Sequence, residues 1–161
     1  YRRIAHISGP QHLKIFRDRL EGYLGALRAA KIPKDRELIV DGDVSVEAGR
    51  AGVRQLLALR QPADALFAVE DFTALGAIKQ LKEQGVRIPS DFGVIGFANE
   101  AFGEHITPTL STIDQQTVQM GKESFRLLLK LINQSKGSSA EQRIVLDPLP
   151  VFRESSLRKT I

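Results

Sequence analysis

Residues 65–97 read ALFAVEDFTALGAIKQLKEQGVRIPSDFGVIGF. Ala65 to Val69 is apolar throughout, without the alternation of a half-exposed strand. Such a run predicts a strand buried on both faces, the mark of a parallel sheet covered by helices. Glu70-Asp71 ends it, and Asp71 is placed to accept the free amide protons of a helix over roughly 72–84. Gly85 stops that helix, and Phe92-Gly93-Val94-Ile95-Gly96-Phe97 is the next strand. Strand, helix and strand with short joints form one βαβ unit.

The same rhythm extends toward the N-terminus. Ile4-Ala5-His6-Ile7 is a short strand closed by the turn signal Ser8-Gly9-Pro10. Leu13, Phe16, Leu20, Tyr23, Leu24 and Leu27 mark one face of a helix over roughly 11–30, which Ile32-Pro33 ends. Leu38-Ile39-Val40 is a strand stopped by Asp41-Gly42-Asp43, and Val46, Val53, Leu56, Leu57 and Leu59 mark the helix after it. Toward the C-terminus the pattern loosens. Leu110 to Ile113 reads as a strand and roughly 116–133 as a helix carrying Val118, Met120, Phe125, Leu128, Leu129 and Ile132. A polar turn at Lys136-Gly137-Ser138-Ser139 precedes strands at Ile144-Val145-Leu146 and Leu149-Pro150-Val151-Phe152. Pro150 cannot donate to a ladder and belongs on an edge. Ser155 to Ile161 reads as a frayed tail. The fold expected is an α/β parallel sheet sandwiched by helices.

The chain has 161 residues and no cysteine, which removes disulfides, thiolate metal sites and a cysteine nucleophile. The absence of cysteine fits a cytoplasmic protein. No apolar run reaches the roughly 20 residues of a membrane helix, no leader-like h-region opens the chain, and Tyr1 in place of Met reads as a fragment boundary. The net charge of +4 is uneven: +6 in residues 1–36, −4 in the middle, +2 in residues 153–161. Basic residues are not interleaved with aromatics as single-strand binders require, so a solvated basic face on the first helix is the simpler reading. Neither GxGxxG nor GxxxxGK[ST] nor GxSxG occurs, and His6, His12 and His105 stand at no metal-ligand spacing. No cofactor or metal is expected.

In a parallel sheet the loops after strand C-termini face the ligand crevice. Asp41, Asp43, Glu70 and Asp71 all stand there. The first two read as turn formers and Asp71 as a cap, which leaves Glu70 without a capping task and open to binding. Arg19, among Phe16, Leu20 and Tyr23, either snorkels to the helix edge or grips a ligand with its planar fork. His6, inside a strand, reads as a satisfied core histidine, and His105 as a surface loop residue.

Taken together, Ile7-Ser8-Gly9-Pro10, Arg19-Leu20-Glu21-Gly22-Tyr23, Gly42-Asp43 with Gly49, Asp71 to Ala77, Ile88 to Phe97, Pro108 to Gln115 with Met120-Gly121, and Phe152 to Ser156 resemble the LacI/GalR repressor family. The resemblance covers nearly the whole chain. It implies the C-terminal lobe of a two-lobed, type I periplasmic-binding-protein-like sensor over 1–113. A crossover segment whose helix belongs to the other lobe follows at 114–150, then a terminal strand and tail at 151–161. It also implies a repressor that is not an enzyme, a carbohydrate-derived effector, operator DNA bound through an N-terminal domain absent here, a homodimer, and no membrane. Arg19 matches the family's cleft arginine. Glu70 stands where a small or amide residue touches ligand, Val44 where an aromatic stacks on it, and Ala98 where a carboxylate grips hydroxyls, with Asn99 beside it. The departures at 44 and 98 imply a sugar derivative held differently, with Glu70 in place of the missing carboxylate. Ile78, Leu81, Lys82 and His105 match the dimer face, although Ile78 and Leu81 read equally well as core. The competing readings are a transport-type sugar-binding protein, a regulator answering to a protein co-regulator, and an enzyme on a doubly wound sheet.

Overall fold

The computed structural model describes residues 1–133 and 142–158. Its main sheet has four strands: β1 (Ile4–Ser8), β2 (Ile39–Asp41), β3 (Ala65–Ala68) and β4 (Gly93–Ile95). They lie in the order β2-β1-β3-β4, and every pair is parallel. This agrees with the apolar runs. Ala5, Ile7, Leu66, Ala68 and Val94 are all buried.

The helices α1 (Lys14–Ala29), α2 (Val46–Leu57) and α3 (Asp71–Glu83) connect the strands. The α2 and α3 helices pack on one face, where Val53, Leu56, Ala74, Ala77, Ile78 and Leu81 join Ile7, Val40 and Leu66 in one core. Two glycines set how closely those helices pass. A Cβ on Gly76 would run into the Val46 carbonyl, and one on Gly49 into the Thr73 carbonyl. Their absence lets the two backbones touch. Tyr23 and Leu27 bury the inner side of α1, with the Tyr23 hydroxyl donating to the Ile4 carbonyl at 2.8 Å.

The start of α2 and the end of α3 follow ordinary capping chemistry. Ser45 Oγ accepts from the Ala48 amide at 3.0 Å to start α2. Gly85, at φ +72°, closes α3 and donates its amide to the Lys82 carbonyl.

The C-terminal part departs from the sequence reading in two places. Ile144-Val145-Leu146 forms no strand, and Ile144 and Val145 are exposed. The pairing goes instead to β5 (Thr112–Asp114) and β6 (Leu149–Val151), an antiparallel pair that holds Pro150 on a two-stranded ribbon. The start of the tail is not frayed either. Ser155 is fully buried, and its hydroxyl donates to the Val94 carbonyl at 2.7 Å while accepting the Ser111 amide at 2.8 Å. The turn expected at Lys136–Ser139 and the end of the tail, 159–161, lie outside the described residues.

Helix α4 (Thr117–Asn133) contains no buried residue. Val118 is 72% and Ile132 68% exposed, and Phe125 and Leu128 are also open. Among the described residues no helix is long and apolar enough to cross a membrane.

Candidate functional site

The parallel arrangement puts the loops after β1, β2, β3 and β4 at one end of the sheet, and α1 delivers Arg19 to that end. Arg19 Nη1 donates to the Val69 carbonyl at 2.7 Å, just past β3. Its guanidinium carbon lies 3.8 Å from the Phe97 ring centroid, just past β4, with the Phe16 ring at 5.9 Å. Nη2 reaches Gln115 Oε1 at 3.3 Å, just past β5. One side chain thus ties together three strand ends. Two of the five guanidinium donor hydrogens are engaged, which leaves three for a ligand. Burial lowers the Arg19 pKa, and the nearby Glu70 and Asp71 carboxylates oppose that shift.

A cavity of about 440 Å³ opens beside Arg19, lined also by Tyr23, Phe67, Phe97, Gln115 and Met120. Aromatic rings with a few convergent polar groups suit an organic ligand that offers both apolar faces and hydroxyls. Val44, Glu70, Ala98 and Asn99 do not line it.

Glu70 takes the capping role that the sequence suggests for Asp71. Glu70 is the helix cap: Oε2 accepts the Phe72 amide at 2.9 Å, and Oε1 accepts both the amide and the hydroxyl of Thr73. A carboxylate has about four lone-pair sites, so one remains, on Oε2. Asp71 turns inward instead, accepting the Glu100 amide at 2.8 Å and the Thr112 hydroxyl at 2.7 Å. Burial raises its pKa, and those two hydrogen bonds oppose the rise. A Cβ on Gly96 would strike Asp71 Oδ1, so the glycine makes room for this carboxylate.

Ala98 and Asn99 have φ of +134° and +60°, two consecutive non-glycine residues in left-handed space. Each such residue costs about 1–3 kcal/mol, held here by the surrounding hydrogen bonds. The Ala98 amide donates to Ile113 and the Asn99 amide to Thr112 Oγ1. The Asn99 side chain is engaged by Arg153 Nη2 at 3.0 Å. Val44 is exposed on the loop after β2 and is not joined to the Arg19 group.

His6 lies beneath this end, fully buried between the stacked rings of Tyr23 and Phe67. Nδ1 meets the Phe67 carbonyl at 2.8 Å, which makes it the protonated nitrogen, and Nε2 has no partner. The expected satisfied core histidine is therefore only half satisfied. Burial pushes its pKa down to about 4, the Phe67 hydrogen bond opposing.

Of the residues matched to a dimer face, Ile78 and Leu81 are core residues with no surface to offer a partner. A helix facing both sheet and solvent points its apolar stripe at the sheet. Lys82 and His105 are exposed, with Lys82 Nζ donating to the Thr107 carbonyl at 2.9 Å. Among the described residues no group of His, Cys, Asp and Glu could hold a metal ion. Phe97 and Gln115 were not singled out by sequence, although Phe97 ends a strand and so stands where ligand crevices form.

The profile of a periplasmic binding protein-like domain matches residues 1–156. The HTH-type transcriptional regulator CelR of Thermobifida fusca is 38% identical over 156 residues, covering 96% of this chain and 45% of CelR. The HTH-type transcriptional repressor CytR of Escherichia coli K12 is 41% identical over 129 residues, covering 80% of this chain and 38% of CytR. A solved CelR–cellobiose complex superposes with a TM-score of 0.89 at 36% identity, over 97% of this chain and 47% of that one. A putative LacI transcriptional regulator from Bacillus cereus superposes at 0.88 and 32%, over 96% of this chain and 54% of that one. The chain spans less than half the length of these two curated relatives.

Proposed function

This chain belongs to the LacI/GalR family of transcription regulators, a family of non-enzymatic regulators, through its periplasmic-binding-protein-like domain, and from that premise we propose that it senses a sugar-like effector at the Arg19 end of its sheet. The observation that carries this reading is the Arg19 side chain. It is held on Val69, Phe97 and Gln115 with donors to spare, beside an aromatic-lined cavity. A sugar offers apolar C–H faces to rings and hydroxyls to a guanidinium, and the site supplies both.

In this reading Arg19 is the main grip. Glu70, outside the cavity lining but close enough to Arg19 to act on its charge, contributes its one remaining lone pair, and Val44, Ala98 and Asn99 stand on the loops at the same end of the sheet. The solved complex of CelR, a relative of this chain, contains cellobiose, which makes a disaccharide the first effector to try. On the same reading α4 belongs to the crossover to a second lobe, and its exposed Val118, Phe125, Leu128 and Ile132 supply the apolar surface such a lobe would cover. A ligand that binds one lobe angle better than the other shifts the regulator between its states. The regulator acts in the cytoplasm as a homodimer on operator DNA, with Lys82 and His105 at the subunit contact.

Calorimetry on the full-length regulator tests the role of Glu70. Loss of sugar affinity in Glu70→Ala, with Glu70→Gln intermediate, supports it. Unchanged affinity in both removes Glu70 from the site.

A further inference from the structure

The basic excess of residues 1–36 has a structural address. Opposite the Arg19 end, where the parallel strands begin, lies a hollow of about 410 Å³. It is bounded by the start of β1, the end of α1 and the segment 32–38. Its floor is apolar, from Ile4, Leu27, Ile32 and Leu38. Its rim carries Arg2, Arg3, Lys34 and Arg36 against a single acid, Asp35.

That acid is already engaged. Asp35 Oδ2 accepts Arg3 Nη2 at 3.0 Å, and Oδ1 accepts the Glu37 amide at 3.0 Å. Asp64, the other carboxylate nearby, is turned to the backbone amides of Arg2 and Arg3. Among the described residues the side chains of Arg2, Lys34 and Arg36 have neither a hydrogen bond nor an ion pair. Three unpaired cations around one concavity repel one another and focus a positive potential into it.

We propose that this hollow binds an organic phosphate. Its phosphate sits among Arg2, Lys34 and Arg36, and its apolar body lies on Ile4, Leu27 and Ile32. A dianion answers three cations on one rim better than a single carboxylate does. Guanidinium forks match phosphate oxygens in pairs. The apolar floor selects an ester over the free ion. Duplex DNA, the other polyanion to consider, needs a stripe of cations along a surface and has no use for an apolar floor.

The test is a methyl- and amide-detected NMR titration of this chain with phenyl phosphate, against inorganic phosphate, phenol and a short DNA duplex. The expected result is saturable shifts at Ile4, Leu27, Ile32 and Leu38 with phenyl phosphate. In the Lys34→Glu/Arg36→Glu variant the affinity falls at least tenfold. Both positions are exposed, and Lys34→Gln/Arg36→Gln repeats the measurement should the charge reversal impair folding. Absence of saturable shifts overturns the proposal, as does equal affinity in the variants. Inorganic phosphate binding as tightly as phenyl phosphate marks an adventitious ion only and overturns it. So does DNA that perturbs the same residues at lower concentration.

Discussion

The guanidinium carbon of Arg19 lies over the Phe97 ring, 3.8 Å from its centroid, while its Nη1 donates to the Val69 carbonyl. A helix residue and the ends of two neighbouring strands are thereby fixed to one another. A desolvated cation on an aromatic face is worth about 2 kcal/mol, and an exposed one about 0.5–1. Phe97→Leu is therefore expected to lower stability by about 1–2 kcal/mol in urea unfolding. The Arg19 Nε–H signal should then exchange faster with water, because the stack that shields it is gone.

Glu70 caps α3, so removing its carboxylate has a cost independent of any ligand. Glu70→Ala is expected to destabilise the chain by about 1 kcal/mol, within the usual range for a lost cap. Glu70→Asp, which keeps the acceptors, should lose less. Chemical denaturation measures both.

His6 makes stability depend on pH in a defined window. Its pKa is about 4 in the folded chain against 6.5 unfolded, so the fold prefers the neutral ring. The stabilisation is complete above pH 6.5 and is lost progressively as pH falls toward 4. A lowered histidine pKa means that the unfolded chain takes up the proton first. The full effect is about 3 kcal/mol at 1.36 kcal/mol per unit. His6→Phe should flatten the denaturation profile between pH 4 and 6.5, leaving only the slope from carboxylates.

Gly76→Ala and Gly49→Ala test the close passage of α2 and α3. Each added methyl meets a backbone carbonyl of the facing helix, which cannot rotate away. Loss of about 3 kcal/mol or more is expected for either, at the upper end for overpacking. Gly22→Ala, where nothing lies within 4 Å of the new Cβ, is the control and should be neutral or slightly stabilising.

Much of this architecture could be read from residue order, because hydropathy reports burial directly. Ala65–Ala68 is apolar throughout and Ile4–Ile7 is interrupted only by His6, and both lie in a parallel sheet. The three- and four-residue steps of α2 match its buried Val53 and Leu56, but those of α4 stay exposed. What could not be read that way depends on hydrogen bonds between distant residues. Ser155 looks like a polar tail residue but stitches Val94 to Ser111, a contact that hydropathy does not register. The apolar run Ile144–Leu146 reads as a strand, yet Ile144 and Val145 are exposed and Leu146 lines the cavity beside Arg19. At Glu70 a one-residue shift in the start of α3 decided everything. Aspartate is the commoner cap, so by sequence the capping role falls to Asp71 and Glu70 stays open to binding. Arg19 was legible only as an alternative between snorkelling and gripping. Its engagement of Val69, Phe97 and Gln115 across up to 96 residues of chain lies beyond any periodicity.

The most direct measurement is calorimetric titration of the full-length regulator with cellobiose and a panel of related sugars, comparing wild type with Arg19→Lys and Arg19→Ala. At least one sugar should bind the wild type. Arg19→Lys should weaken that sugar about tenfold and Arg19→Ala further, since an ammonium cannot hold Val69 and a ligand together as the planar fork does. A sugar bound with equal affinity by all three proteins would place effector recognition elsewhere and contradict the account.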